Sequence, residues 1–438
     1  MKFIAHPYQL DGARFCYAHP FSALLADPGL GKTAIMLMVI HALKRAGALR
    51  APVLILSTLR IATSVWPAEI AKWDQFHGIT CRVLHGRNKL DRSQEPADIH
   101  LLNNEGLRWA KDNQVLDKYD ALIIDESSKY KSWTADRTEI LKRRLTQFDR
   151  RHILTGTPVP HHMEDYFSQQ YIVDHGRSLG QYITRFRNNY FIDCGYKYPD
   201  WQLRDGAEEM IYKQIAPYCF RLSAEDVLSM PELTINDIWI DLPKQWRGKA
   251  REHLLALDTS MAINAATDRL ISRRIAGGIL DGEVIHRAKI DAARDIIEEL
   301  QGKPVMIGYY YRDEGDMLRR EFKAQLIDGR TSAKDSARIC RDWNARKVPV
   351  LAMQPAAGGH GLNLQDGGLD LIWYSLTDNQ DDYYQMIRRI WRQGVRAGVR
   401  VHRILAKGTV DKAMVAGLES KDGFQRGFLA AIGEMCHA

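Results

Sequence analysis

The stretch Ala23-Leu24-Leu25-Ala26-Asp27-Pro28-Gly29-Leu30-Gly31-Lys32-Thr33 has the residue types and the order of a phosphate-binding turn. The apolar residues up to Ala26 suit a short strand, the glycines suit a turn, and the run from about Thr33 to Ala46 suits a helix. In that arrangement the backbone N–H groups of the turn and of the helix start face an anion, Lys32 reaches terminal phosphates, and the Thr33 hydroxyl can ligate Mg²⁺. Asp27, Gly29, Gly31, Lys32 and Thr33 are therefore expected to line a nucleoside-triphosphate cradle. Its first position is Ala26, where the strict pattern has glycine, so the pattern is met in its looser form.

About ninety residues downstream stands Ala121-Leu122-Ile123-Ile124-Asp125-Glu126-Ser127-Ser128. An apolar strand that ends in two adjacent carboxylates puts them at the C-terminal edge of a parallel sheet, where such sheets bind ligands. Beside the cradle, Asp125 can hold a hydrated Mg²⁺ while Glu126 orients and deprotonates an attacking water. An acidic pair after a strand is common by itself. Following a phosphate-binding turn, it points to hydrolysis.

The elements that must position these groups alternate along the chain. Runs rich in Leu and β-branched residues at Val53–Ser57, Arg82–His85, Ile99–Asn103, Ala121–Asp125, His152–Thr155, Val305–Tyr309, Gln325–Asp328, Val348–Met353, Leu369–Tyr374 and Val399–Leu405 read as strands. Helix-patterned segments such as Trp66–Phe76 separate them, which predicts parallel sheets with helical crossovers. Between about Leu222 and Ile290 the strand pattern lapses into charged, helix-leaning sequence ending at Gly277-Gly278, and a domain boundary is expected there. A chain of 438 residues exceeds one core, so two domains of about two hundred residues each are expected.

Composition narrows the class further. Hydrophobic residues at 45% and charged residues at 26% fit a globular protein. The longest apolar run, Ala34 to Leu43, is broken by His41 and too short to span a bilayer, and the N-terminus has no signal-peptide core, so the expected location is the cytosol or nucleoid. The six cysteines form no CxxC pair and are expected to be reduced thiols. The net charge of +7 is modest, but Lys142, Arg143, Arg144, Arg150 and Arg151 form one basic cluster and Arg388, Arg389, Arg392, Arg396, Arg400, Arg403 and Lys407 another. Such clusters suit a polyanion partner, although a solvated surface accounts for either one alone.

Seven segments stand in the order of the motifs of superfamily-two helicases: Pro7-Tyr8-Gln9, Asp27 to Thr33, Asp125-Glu126, Leu154-Thr155-Gly156-Thr157-Pro158, Asp328-Gly329-Arg330-Thr331, Ala357 to Leu364, and Arg388-Arg389-Ile390-Trp391-Arg392. The set most closely resembles the Swi/Snf-type ATPases, the branch that translocates on duplex DNA. The resemblance runs from about Pro7 to Met414. It implies an α/β fold of two tandem RecA-like lobes, each a mainly parallel sheet flanked by helices, with ATP in the interlobe cleft. Residues 1–229 would form the ATP-binding lobe, and 230–438 a helical linker and the C-terminal lobe.

The resemblance also assigns roles. Gln9 resembles the glutamine that reads adenine, a task its carboxamide suits by offering both a donor and an acceptor. Lys32, Asp125 and Glu126 would be catalytic, and Thr33 and Asp125 would hold Mg²⁺. Thr155, Gly156 and Thr157 look like the turn that couples the γ-phosphate site to the nucleic-acid path. In the second lobe, Gly361 and Asn363 would contact nucleotide, and Gly358 and Gly359 leave loop backbone open to a phosphate. Arg389 and Arg392, spaced i, i+3, would project from one helical face as arginine fingers. Ser57, Thr58 and Arg60, with Arg330 and Thr331, are the candidate DNA-backbone contacts.

Three departures from the family pattern stand out. Ser128 occupies the usual His place of the Asp-Glu-x-His box, and Trp391 and Val395 replace a His and a Gln in the last motif. They leave the nucleotide pocket intact and bear on the coupling between hydrolysis and movement. The expected function is a DNA-dependent ATPase using ATP and Mg²⁺ that translocates on double-stranded DNA without sequence preference, as a bare motor of bacterial, archaeal or viral type. The alternatives are a strand-separating DNA or RNA helicase, for which no separation pin is evident, and a nucleotide-sensing scaffold without turnover.

Overall fold

The computed structural model describes every residue except 160–161, 197–198, 229, 260–261, 356–361, 363, 393–394, 396 and 438; the side chains of 251, 253–259, 262–266, 433–434 and 436–437 also lie outside the description. The chain forms two compact units. One comprises Met1–Leu228 with Gly423–Ala438, the other Ser229–Asp422.

The first unit is built on a seven-stranded sheet. Its strands are β1 (Phe21–Ala26), β2 (Val53–Ser57), β3 (Cys81–Val83), β4 (Ile99–Asn103), β5 (Ala121–Asp125), β6 (Arg150–Thr155) and β7 (Cys219–Leu222), in the spatial order β3-β4-β2-β5-β6-β1-β7. Every neighbouring pair is parallel. Parallel sheets are covered on both faces, which is why β2 and β5 are buried along their whole length instead of alternating. The helix Lys32–Arg45 buries Ile35, Met36, Leu37, Val39, Ile40 and Leu43. Its last turn carries Lys44 and Arg45, which offset the helix dipole.

Inside this sheet, Ser22 of β1 and His152 of β6 meet at 2.7 Å between Oγ and Nδ1. Burial drives the imidazole's pKa down to about 3, so the pair is neutral. The last helix, Asp411–His437, adds Phe428 and Ile432 to the core of this unit, with the Phe428 ring 5.1 Å from Tyr166 and 5.4 Å from Tyr212.

The second unit holds a six-stranded, all-parallel sheet: β8 (Leu233–Ile240), β9 (Val305–Gly308), β10 (Gln325–Ile327), β11 (Val350–Met353), β12 (Asp370–Trp373) and β13 (Val399–Ala406), ordered β8-β13-β12-β9-β11-β10. Two α/β lobes with parallel sheets are thus the fold expected from the alternation of runs. The strand bounds at Val53–Ser57, Ile99–Asn103 and Ala121–Asp125 are as expected, and the others shift by one or two residues.

One expectation is corrected. The strand pattern does not lapse throughout 222–290, because β8 pairs with β13 over all eight of its residues. It is a sheet edge with no fully buried position, and it carries Asn236 and Asp237. Asp237 takes the Arg403 guanidinium of β13, with Nη2 donating at 2.9 Å. The pairing partner, 166 residues away, makes the strand; its own hydrophobicity does not.

Candidate active site in the first lobe

The three first-lobe motifs expected to carry chemistry leave from three contiguous strands. β5, β6 and β1 lie side by side in register, with Asp125 opposite Leu154 and Leu154 opposite Leu24. The Asp125-Glu126 pair, the Thr155–Pro158 turn and the 27–31 turn therefore emerge together at the C-terminal edge of one parallel sheet.

In the 27–31 turn, Gly29 has φ 95° and Gly31 φ 80°, values that side chains other than glycine seldom adopt. A Cβ on Gly31 would also sit 2.5 Å from Gln9 Nε2. Ala26 ends β1 and has no positive φ, so the missing glycine of the strict pattern costs nothing here. Lys32 Nζ donates to Ala26 O at 2.9 Å, closing the turn over its own first carbonyl. The first N–H groups of the helix from Lys32 have no intrahelical acceptor and remain for an anion.

Gln9 is buried against this turn. Its Nε2 donates to Leu30 O at 3.2 Å and its Oε1 accepts from His6 N–H at 3.0 Å, which fixes the carboxamide's orientation. The Asp27 carboxylate accepts from the Ala224 N–H at 3.0 Å, tying the turn to the segment after β7.

Asp125 is buried, and its Oδ2 accepts from the Trp66 indole N–H at 3.0 Å. The sequence places Trp66 only in a helix-patterned segment; nothing in its spacing marks it as the donor that orients a carboxylate 59 positions away. Glu126 adopts φ 67°, ψ 64°, a left-handed conformation that is strained for glutamate and marks an over-determined position. Its N–H donates to Leu154 O at 2.9 Å. Desolvation raises the Glu126 pKa against the opposing positive charges of Lys32 and Lys129, so the carboxyl is tuned toward a base.

The Thr155–Pro158 turn closes on the cradle. Gly156 lies so near that a Cβ there would stand 2.9 Å from Pro28 Cδ and 3.2 Å from Ala26 O. Thr155 Oγ1 accepts from Thr157 N–H at 3.0 Å, and both residues are buried.

These residues fit a magnesium-bound triphosphate. Glycines open the turn, a lysine stands at its end, and the Thr33 hydroxyl and Asp125 carboxylate are the hard oxygen donors Mg²⁺ prefers. Among the described residues no cluster of three or more His, Cys, Asp or Glu side chains could hold a metal by itself. Mg²⁺ bound through phosphates needs only one or two carboxylates.

In the second lobe Arg389 is buried and Arg392 half-buried. Arg389 Nη1 and Arg392 Nη2 both donate to Leu362 O, each at 3.4 Å. Burial lowers the Arg392 pKa, and the Arg388 charge adds to the effect. Trp391, in the usual His place, donates its indole N–H to Pro231 O at 2.7 Å and carries the Arg388 guanidinium 4.3 Å from its ring centroid. The loop residues Gly358, Gly359, Gly361 and Asn363 lie outside the described residues.

The candidate DNA contacts are placed unevenly. Ser57 is fully buried with its hydroxyl donating to Thr58 O at 3.2 Å, and the Thr58 hydroxyl is buried too, so neither side chain offers a surface contact. Arg60 is half-exposed. Arg330 is held by Asp316 through two bonds of 3.0 Å and by Asp328, and the Thr331 hydroxyl donates to Leu326 O at 3.3 Å. Burial pushes the Asp328 carboxyl up, but hydrogen bonds from Arg330 outweigh it and hold the group below its ordinary range.

Neither basic cluster is a bare cationic patch. Arg151 is buried, donating to Val173 O and Leu145 O; Lys142 sits 3.6 Å from the Trp133 ring centroid; and Arg144 pairs with Asp117. In the other cluster Arg400 pairs with Asp370 at 2.7 Å, Arg403 with Asp237 and Glu419, and Lys407 with Asp241 at 3.0 Å. Charge density along the sequence counted these cations without the carboxylates and carbonyls that the fold brings to them.

Comparison with known proteins gives a consistent family. The chain matches the SNF2-related domain over residues 8–282 and the helicase conserved C-terminal domain over residues 288–394. It is 30% identical to putative protein p41 of Acyrthosiphon pisum secondary endosymbiont phage 1, covering 94% of this chain and 95% of that protein. It is 24% identical to the putative ATP-dependent helicase/translocase YwqA of Bacillus subtilis, covering 95% of this chain and 48% of the relative. Other curated relatives are longer as well, and the chain spans between 27% and 52% of their length. Among solved structures, the Sulfolobus solfataricus SWI2/SNF2 ATPase core in complex with dsDNA is similar at 21% identity and a TM-score of 0.46, covering 98% of this chain and 94% of that one.

Proposed function

Because the chain belongs to the SNF2-related family, and is therefore a helicase-like ATP hydrolase, we propose that it is a DNA-dependent ATPase that translocates on double-stranded DNA. Hydrolysis would drive its movement or the remodelling of protein–DNA contacts. The observation that carries this reading is the gathering of cradle, carboxylate pair and coupling turn at one edge of three adjacent strands, with Glu126 held in a strained, desolvated conformation. The Bacillus relative's name as a helicase/translocase supports the choice of motor activity.

Each residue has a defined task in this reading. The turn amides and Lys32 bind phosphate, Gln9 meets the adenine edge, and Thr33 and Asp125 hold Mg²⁺, with Trp66 keeping the Asp125 carboxylate in place. Bound Mg²⁺ supplies charge neutralisation at the oxygens of the transferring phosphoryl group. Glu126 orients the water and accepts its proton. The second lobe supplies Arg389 and Arg392 to the developing negative charge, and Gly361 and Asn363 to the nucleotide. Movement along the track uses Arg60, Arg330, Thr331 and the backbone of the Gly358-Gly359 loop, which contact phosphates and so confer no base preference. No helix among the described residues is long and apolar enough to cross a membrane, and we place the protein in the cytosol or nucleoid.

One feature favours the strand-separating alternative. A two-stranded antiparallel hairpin, Phe191–Asp193 with Trp201–Leu203, carries a fully exposed Tyr196 between its strands, and an exposed aromatic on a hairpin could act as a wedge. The motor reading predicts ATP-dependent displacement of the third strand of a triplex and no separation of a simple tailed duplex. Efficient separation of that duplex without triplex displacement would establish the helicase instead.

A further inference from the structure

The helix Glu164–Asp174 is buried at every position from Tyr166 to Asp174, yet it places two consecutive glutamines there, Gln169 and Gln170. A buried carboxamide is destabilising unless its bonding capacity is met, so its bonds identify its purpose. Gln169 Nε2 donates to Pro158 O at 2.7 Å and to Asp165 O at 2.9 Å, which uses both of its protons. Its Oε1 accepts from the Ser127 hydroxyl at 2.7 Å. The orientation is fixed, because the flipped amide would set its oxygen against two carbonyls. Ser127 and Gln169 are both fully buried.

Ser127 directly follows Glu126, whose backbone is left-handed. Pro158 ends the coupling turn, and Gly156 of that turn packs on Pro28 of the cradle. The contacts thus form a continuous path from the cradle through Gly156, Pro158, Gln169 and Ser127 to Glu126. We infer that Gln169, through Ser127, is the positioning residue that makes the carboxylate pair and the coupling turn move as one when nucleotide binds. Ser127 performs here, through a hydroxyl, a linking task that does not need the histidine absent at Ser128. Another carbonyl of the turn, Gly156 O, accepts from Gln425 Nε2 at 3.2 Å, so the turn is braced from a second side that does not lead to the carboxylates.

This inference rests on the ATP-site reading and is independent of any DNA activity. It is tested by hydrogen exchange of the amides from Thr155 to Val159, with and without the Mg²⁺ complex of a non-hydrolysable ATP analogue, alongside calorimetric affinity. In the wild type the analogue is expected to slow exchange in this turn by about tenfold. Ser127→Ala and Gln169→Leu should reduce that response to less than about twofold while nucleotide affinity stays within about threefold, and Ser127→Thr should restore it. Gln425→Leu should speed exchange in the absence of nucleotide but keep the response.

A full response in Ser127→Ala overturns the relay, as does loss of the response in Gln425→Leu to the same extent, since both amides would then be mere braces. A wild type that binds the analogue with no change in the turn overturns it too. Failure of the wild type to bind the analogue would instead refute the ATP site, and the relay with it.

Discussion

Replacement of Glu126 by glutamine is expected to leave ATP affinity near that of the wild type and to lower kcat by about 10²- to 10⁴-fold, the usual contribution of a positioned general base. Glutamine has the shape to follow the same path from φ 67° and keeps an acceptor oxygen for the water, but it cannot take a proton. The desolvation that raises the Glu126 pKa makes the group a better base than an exposed carboxylate and does not contribute to holding phosphate. Lys32→Ala should behave differently. It removes a cation that now bonds Ala26 O and that phosphate would take over, so binding and turnover fall together. Calorimetry with steady-state hydrolysis separates the two patterns. Near-normal hydrolysis by Glu126→Gln would remove Glu126 from the mechanism.

Arg389→Ala and Arg392→Ala should each reduce stimulated kcat severely, up to about 10³- to 10⁵-fold for a residue acting as an arginine finger, with little change in ATP affinity. A group that meets charge only as it develops on the phosphoryl oxygens affects the transition state and not the ground state. The two guanidinium groups share Leu362 O through long bonds of 3.4 Å, which a phosphate would readily outcompete, while Arg392 Nε also donates to Arg388 O at 2.8 Å. Lysine should not restore activity at either position, because it lacks the planar fork that matches phosphate. Folding is checked by the melting temperature, since Arg389 is buried. A folded Arg389→Ala or Arg392→Ala protein that retains its full stimulated rate would show that the arginine in question only braces the loop.

How much of this was legible in the sequence depended on distance along the chain. The strand, turn and helix around Gly29 to Lys32 and the strand ending at Asp125 were legible because each is contiguous in the chain. The parallel sheets were legible because strands buried on both faces read as apolar runs. Strand β8 was not, since an edge strand alternates and owes its place to its ladder with the distant β13. Trp66 and Gln169 were not, since each acts on a group 59 or 42 positions away and looks like any other helix residue. The partners of the basic clusters and the burial of the Ser57 and Thr58 hydroxyls are not visible in the sequence for the same reason: they exist only once the chain has folded.

In the proposed function, duplex DNA is the track to which ATP hydrolysis is coupled. Steady-state hydrolysis by the wild type, measured with no nucleic acid, duplex DNA, single-stranded DNA and RNA, tests it most directly. Duplex DNA of unrelated sequences should raise kcat to the same extent, and single strands and RNA should raise it far less. Equal rates under all four conditions, or stimulation by single strands or RNA above that by duplex DNA, would contradict the claim.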